Sequence, residues 1–265
     1  MLSDFVNTYL AHIIAIVALM QVWVIAGWKR WIVKGILEFH PSTNIEIGFS
    51  AFGSTVSLPG TLRALKKDVF VSEMHVVITR MSDNAMHNFT WRAFKSNTFS
   101  AISMTPEAIE LATSFNLPVA APRPINVFFA SADFASRYAQ HAEELRNAWY
   151  SFGREKVNEL GNQIATLVET PGFADNLFSE FSNGPVPLNL FTQLNHGFFW
   201  QSGNYRLDLH VRSASPTKSI KNSWRLSITD EDEQKLRLNS LTVLKELCGL
   251  QVQYYFIYKP YENVT

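Results

Sequence analysis

Apolar positions recur at two different periods along this chain, and the change of period divides it. From Ile45 onward the period is two. Ile45, Ile47 and Phe49 alternate with polar or small residues, and Thr55-Val56-Ser57-Leu58 repeats the alternation until Pro59-Gly60 makes a turn. Phe70 to Met81 predicts a strand with Met74, Val76 and Ile78 on one face. A turn at Ser82-Asp83-Asn84 leads to Asn88 to Phe94, where Phe89, Trp91 and Phe94 supply aromatic bulk. One buried and one wet face is the mark of antiparallel strands.

Near Ser103 the pattern changes. Thr105-Pro106-Glu107 reads as a helix start, Thr at the cap and Pro first inside, and predicts a short helix to about Ser114. Asn116 to Pro124 reads as a linker and Ile125 to Phe129 as a brief strand. Ser131 or Asp133 then caps the longest helix: Phe134, Tyr138, Leu145, Trp149 and Phe152 fall near one face, and Leu160, Ile164 and Leu167 continue the stripe to Pro171-Gly172. A shorter helix covers Ala174 to Phe181. Strands return after Pro187. Asn204 to Val211 alternates strictly, with Tyr205, Leu207, Leu209 and Val211 inward and Arg206, Asp208 and His210 outward; Ser223 to Thr229 does the same through Trp224, Leu226 and Ile228. The acidic run Asp230 to Glu233 suits a helix N-terminus, and a final strand covers Val252 to Tyr258.

The N-terminus follows neither period. Leu10 to Trp28 carries no Asp, Glu, Lys or Arg. At ~1.5 Å per residue it would rise roughly 28 Å as a helix, against a hydrocarbon thickness of ~30 Å. The expectation is a single transmembrane helix, retained in the mature chain, because Met1 to Tyr9 holds Asp4 and no basic residue and no small-x-small site follows. Lys29, Arg30 and Lys34 on its C-terminal flank place the N-terminus outside and the large domain in the cytoplasm. His12, Gln21, Trp28, Lys29 and Arg30 are the expected membrane contacts, and Ile32 to Phe39 continues the helix or lies along the surface until Pro41.

The expected organisation is a tail over 1–9, the helix over 10–28, a juxtamembrane segment over 29–43, a first strand-rich part over 44–102, a helical insertion over 103–187 and a second strand-rich part over 188–265. The fold class is α+β: an antiparallel β-sandwich-like domain behind the membrane helix, interrupted by helices. The run Ser202-Gly203-Asn204-Tyr205-Arg206-Leu207-Asp208-Leu209 resembles the late strand of immunoglobulin-like sandwiches, and Trp91 stands where an earlier strand of such a fold carries its core Trp. The resemblance touches about thirty residues and lacks both cysteines of the usual pair.

Composition narrows the chemistry. The 23 basic and 23 acidic residues balance, so bulk electrostatics give no support to a nucleic-acid partner. The single cysteine, Cys248, excludes an intrachain disulfide and sits in an apolar segment as a small hydrophobe. Under a cytoplasmic placement the sequons at Asn88 and Asn263 would be silent. None of the seven histidines stands at HxH or HExxH spacing, and His75 and His210 read as residues on the wet face of strands. No phosphate-cradling glycine loop appears. Glu143-Glu144 with Arg146, and Glu155 and Glu159 with Lys156, read as the solvated face of a helix. No catalytic, cofactor or metal residue is therefore assigned, and the balance leans away from an enzyme. Aromatic residues give the remaining signal, with Phe199, Trp200, Tyr255 and Tyr258 as candidate interface residues. The expected function is a membrane-anchored protein whose soluble domain binds a protein partner or senses a ligand, homo-oligomers included. The alternatives are a membrane-tethered enzyme with a dispersed site and the anchor subunit of a larger membrane complex.

Overall fold

Alternation of the kind seen from Ile45 onward builds a single antiparallel sheet that curls almost into a barrel. The computed structural model describes residues 12, 14, 16–27, 35–42, 44–95, 109–161, 172–214 and 220–263. Its strands are β1 Ile36–Pro41, β2 Asn44–Ser50, β3 Gly53–Leu65, β4 Val69–Arg80, β5 Met86–Lys95, β6 Ile109–Leu111, β7 Phe115–Leu117, β8 Arg123–Ser131, β9 Gly203–Ser213, β10 Ile220–Ile228, β11 Phe256–Pro260 and β12 Glu262–Asn263. The order across the sheet is β11-β2-β3-β8-β5-β4-β9-β10-β12, with β1 on β3, β6 on β5 and β7 on β4. The helices that pack with it are α1 Phe134–Leu160, α2 Phe173–Ser182, α3 Pro185–His196 and α4 Asp230–Leu247.

The two edges of the sheet are brought together by the C-terminal stretch. β11 pairs with β2, and β12, one residue further on, pairs Asn263 with Trp224 and Glu262 with Arg225 of β10. Tyr261 lies between them. Its ring meets Trp224 edge-on at 5.1 Å and its hydroxyl donates to the Pro59 carbonyl at 3.0 Å, while Phe39 of β1 reaches the same Trp224 at 5.7 Å. Side chains fill the interior: Ile45, Ile47, Phe49, Val56, Val76, Ile78, Phe89, Leu207 and Leu209 are buried, and Trp200 donates its indole N–H to the Gly48 carbonyl at 2.9 Å. Gly48 has no room for a side chain, since a Cβ there would stand 2.8 Å from Phe256 and from Thr55.

α4 locks this closure. Thr229 and Asp232 form a reciprocal capping box at its start, and Lys259 of β11 bonds Asp232 at 2.6 Å. Burial alone would raise the Asp232 pKa, but Lys259 and the Thr229 bonds outweigh it and hold the carboxyl below its usual range. Further along, Leu236, Val243 and Leu244 are buried where α4 packs on β2 and β11. Between them the buried Asn239 donates to the Tyr255 carbonyl at 2.7 Å and accepts from the Tyr255 N–H at 2.9 Å, giving that residue the two bonds a neighbouring strand would have given.

Several expectations are corrected here. Among the described residues no helix is long and apolar enough to cross a membrane. The spanning anchor, its single-pass orientation, the cytoplasmic placement and the membrane as a partner are accordingly set aside. His12 and Gln21 are exposed on helical residues; Trp28, Lys29 and Arg30 lie outside the described residues. The sandwich gives way to one continuous sheet, curved with the help of irregular registers at Val71/Glu73 and Trp91/Ala93. Trp91 is half-buried against Phe94 and Phe115, and among the described residues the fully buried tryptophans are Trp200 and Trp224. Residues 36–41 form a strand where a continuation of the helix or a segment lying along the membrane surface was expected, because Leu37 and Phe39 alternate inward beside β3. Ile109–Leu111 pairs with β5 where a helix was expected, and 105–108 lie outside the described residues. After Pro187 the chain is helical: Pro185 occupies the first turn of α3, and Leu190 and Leu194, four apart, share its buried side.

Replacing Asn239 by Ala leaves the Tyr255 N–H and C=O without their partners. A loss of about 1–3 kcal/mol is expected in urea unfolding, and an unchanged midpoint would show that Asn239 does not hold the closing strand.

Candidate functional site

α1 crosses α3 and α4 beside the β2–β3 turn, and the three helices leave a cleft of about 230 Å³ between them. Its formation is local in origin. Phe134 opens α1 and sets its ring edge-on to Phe49 at 5.7 Å. This approach needs Gly53, which adopts φ +82° and whose Cβ would lie 2.4 Å from the Phe134 ring. One turn on, Tyr138 donates to the Gln193 carbonyl of α3 at 2.8 Å. Burial raises its pKa, so it remains a neutral donor. Ala139 and Ala142 follow on the same side of α1, and their small side chains leave the space open; Leu190, Leu194 and Val243 close it from α3 and α4. Arg146, one turn beyond Ala142, also lines the cleft. Glu144 is engaged by Gln140 at 2.9 Å and His141 at 3.4 Å, and Arg146 makes no ion pair or hydrogen bond among the described residues. The charged face expected from Glu143-Glu144 and Arg146 thus separates: the acid is occupied by its own turn, and the cation stands unpaired beside an apolar space.

Two further grooves are shallower. One, of about 450 Å³, runs between α1 and α2 over Trp149, Val157, Phe173 and Leu177, with Arg154 beside it; Lys156 there is committed to Glu159 at 3.0 Å and Glu180 at 2.7 Å. The other, of about 250 Å³, follows α4 past Leu238, Leu241 and Tyr255. The four aromatic candidates do not converge. Trp200 (0% exposed) and Phe199 are core residues, whereas Tyr255 (51%) lies in the α4 groove and Tyr258 (58%) on the outer side of β11 opposite Glu46.

Groups with catalytic chemistry are mostly spent on structure. His87 Nε2 lies 3.2 Å from the Ser131 hydroxyl at the junction of β8 and α1, a nucleophile-and-base distance. Ser131 is buried, however, and His87 is stacked on Phe199 at 4.7 Å, so a substrate carbonyl has no approach to the oxygen. Burial, with Arg137, pushes the His87 pKa down against the pull of Asp133. Cys248 is buried at the end of α4, and burial pushes its thiol up to about 12, which leaves it unreactive. On the outer wall Lys95 pairs with Glu46 at 2.5 Å beneath Phe128 and Phe256, a sealed ion pair joining residues 49 positions apart, which no local pattern announces. Among the described residues no three His, Cys, Asp or Glu side chains cluster as a metal site.

Compared with known proteins, the chain matches no family model, no curated protein and no solved structure.

A histidine whose folded pKa lies below its unfolded value of about 6.5 binds its proton more weakly when folded. The contribution of His87 is therefore at its full value above about pH 6.5 and is lost as the pH falls toward the folded value. Urea midpoints measured from pH 7.5 to 5 are expected to fall, and to fall less steeply in His87→Gln; parallel profiles for the two proteins would contradict this.

Proposed function

We propose that this protein binds a small amphipathic carboxylate, its apolar body in the cleft between α1, α3 and α4 and its carboxylate on Arg146. The observation that carries this reading is the unpaired guanidinium of Arg146 at the side of a cavity otherwise lined by apolar and aromatic side chains. Binding sites are commonly of this kind, largely apolar with a few polar groups that set orientation. A volume of about 230 Å³ suits a short alkyl chain or one aromatic ring; an apolar cavity of ~150 Å³ already accepts benzene. The guanidinium fork matches a carboxylate in two parallel hydrogen bonds. Trp200, Trp224, Tyr205 and Phe129 are buried in the barrel interior. The reading is one of binding without catalysis, since the only group inside the cleft able to move a proton is Tyr138, held neutral and bonded to Gln193.

Calorimetric titration with octanoate, and with octanol as its neutral counterpart, tests this. Arg146→Gln is expected to weaken octanoate by about tenfold or more, roughly 1.4 kcal/mol, and to leave octanol unchanged. Ala142→Leu, which fills the space, is expected to abolish both. Equal octanoate affinity in the native protein and Arg146→Gln would overturn the reading, as would the absence of binding by either compound.

A further inference from the structure

The outer wall of the barrel brings together two histidines that lie 135 positions apart (210 − 75). His75 of β4 and His210 of β9 are direct partners in the antiparallel register. Their rings stack with centroids 4.7 Å apart and planes 4° from parallel. Both point away from the core, opposite to Met74, Val76, Leu209 and Val211, and both are half-exposed, so water reaches them. Neither ring makes a hydrogen bond among the described residues. This sets them apart from His40, His87 and His141, whose ring nitrogens are engaged by Glu38, Ser131 and Glu144.

We propose that His75 and His210 form a two-imidazole site for a borderline transition-metal ion, with copper(II) the preferred occupant and water completing its coordination sphere. Directly opposed residues of adjacent strands hold their Cβ atoms about 4.5–5.5 Å apart. From there a turn of each ring out of the stack converges one nitrogen from each on a common point at the ~2.0–2.1 Å typical of a metal–imidazole bond. Imidazole suits zinc, copper and nickel, and for a given nitrogen set copper(II) binds most tightly of the divalent series. Lys221 of β10 is the cross-strand partner of His210 and brings a positive charge to the same face, so the two imidazoles and not the local charge would carry the affinity. Asp208, two residues before His210 on the same face, is not a ligand, because Arg206 at 3.0 Å, Ser223 and Lys221 at 3.8 Å occupy its oxygens. On the other side Thr90 of β5 stands opposite His75 with a buried hydroxyl that has no partner, an acceptor for the second N–H of that ring. The pairing of β4 with β9 continues past His75 on either side, and β5 pairs from His75 onward, which fixes the two ligands before any ion arrives. The site is on the barrel wall and does not depend on the helical cleft or its ligand.

Titration of the full chain with copper(II) at neutral pH, followed by electron paramagnetic resonance, is the direct test. One equivalent is expected to bind with hyperfine coupling from two nitrogens. His75→Gln and His210→Gln are each expected to weaken binding at least about tenfold and reduce the coupling to a single nitrogen, whereas His40→Gln and His141→Gln leave both unchanged. Magnesium, which prefers oxygen ligands, is expected not to compete. Coupling from fewer than two nitrogens in the native protein would overturn the site without recourse to any variant, and so would copper affinity that survives removal of either histidine.

Discussion

A buried side-chain amide holds the end of this fold in place. Asn239 meets the backbone of Tyr255 as a second strand would, donating to its carbonyl and accepting from its N–H. Tyr255 is the last residue before β11, so this one contact decides where the closing strand begins. From that point β11 runs along β2, Tyr261 turns inward against Trp224, and β12 reaches β10. Without a fixed start to β11, the two sheet edges would face each other with backbone groups unpaired, a costly arrangement where water is excluded. The same contact orients α4, whose Val243 forms one side of the cleft. Barrel closure and candidate site thus share a support.

The legible part of the fold is the part encoded by adjacent residues. Strict alternation from Asn204 to Val211 and from Ser223 to Thr229 became β9 and β10, and the stripe beginning at Phe134 became α1. The acids at Asp230 to Glu233 fill the first turn of α4. What alternation cannot convey is which strand lies beside which. Two packed sheets and one curled sheet need the same inward and outward positions, and the choice between them rests on the pairing of the C-terminal residues with β2 and β10 and on the irregular registers in β4 and β5. Short elements misled for a related reason. Ile109–Leu111 and Phe115–Leu117 are strands only because β5 and β4 offer them edges, and apolar composition near the N-terminus is not matched, among the described residues, by a helix long and apolar enough to cross a membrane.

The candidate sites were less legible than the fold. The cleft takes residues from α1, α3, α4 and the β2–β3 turn, and its defining feature is a space, which small residues at Ala139 and Ala142 permit but do not announce. Arg146 looked like half of a surface ion pair until its acidic neighbour proved to be engaged within its own turn. The wet-face positions of His75 and His210 followed from alternation, yet only the β4–β9 register makes them neighbours. Conversely, the aromatic residues that stood out in the sequence were divided by burial, Trp200 and Phe199 going to the core and Tyr255 and Tyr258 to two different parts of the surface. The physical lesson concerns which groups remain unspent. Ser131, Cys248, Lys95 and Trp200 all carry useful chemistry, and all are committed to packing or pairing. Arg146 is not.

The most direct examination of the cleft is methyl-detected NMR of the full chain with octanoate, reading intermolecular nuclear Overhauser effects from the ligand chain to assigned methyl groups. Contacts are expected to Ala139, Ala142, Leu190, Leu194, Val243 and Leu247, the methyl-bearing residues that α1, α3 and α4 turn toward the space beside Arg146. Contacts confined to Val157 and Leu177 of the α1–α2 groove, or to Leu238 and Leu241 of the α4 groove, would contradict it.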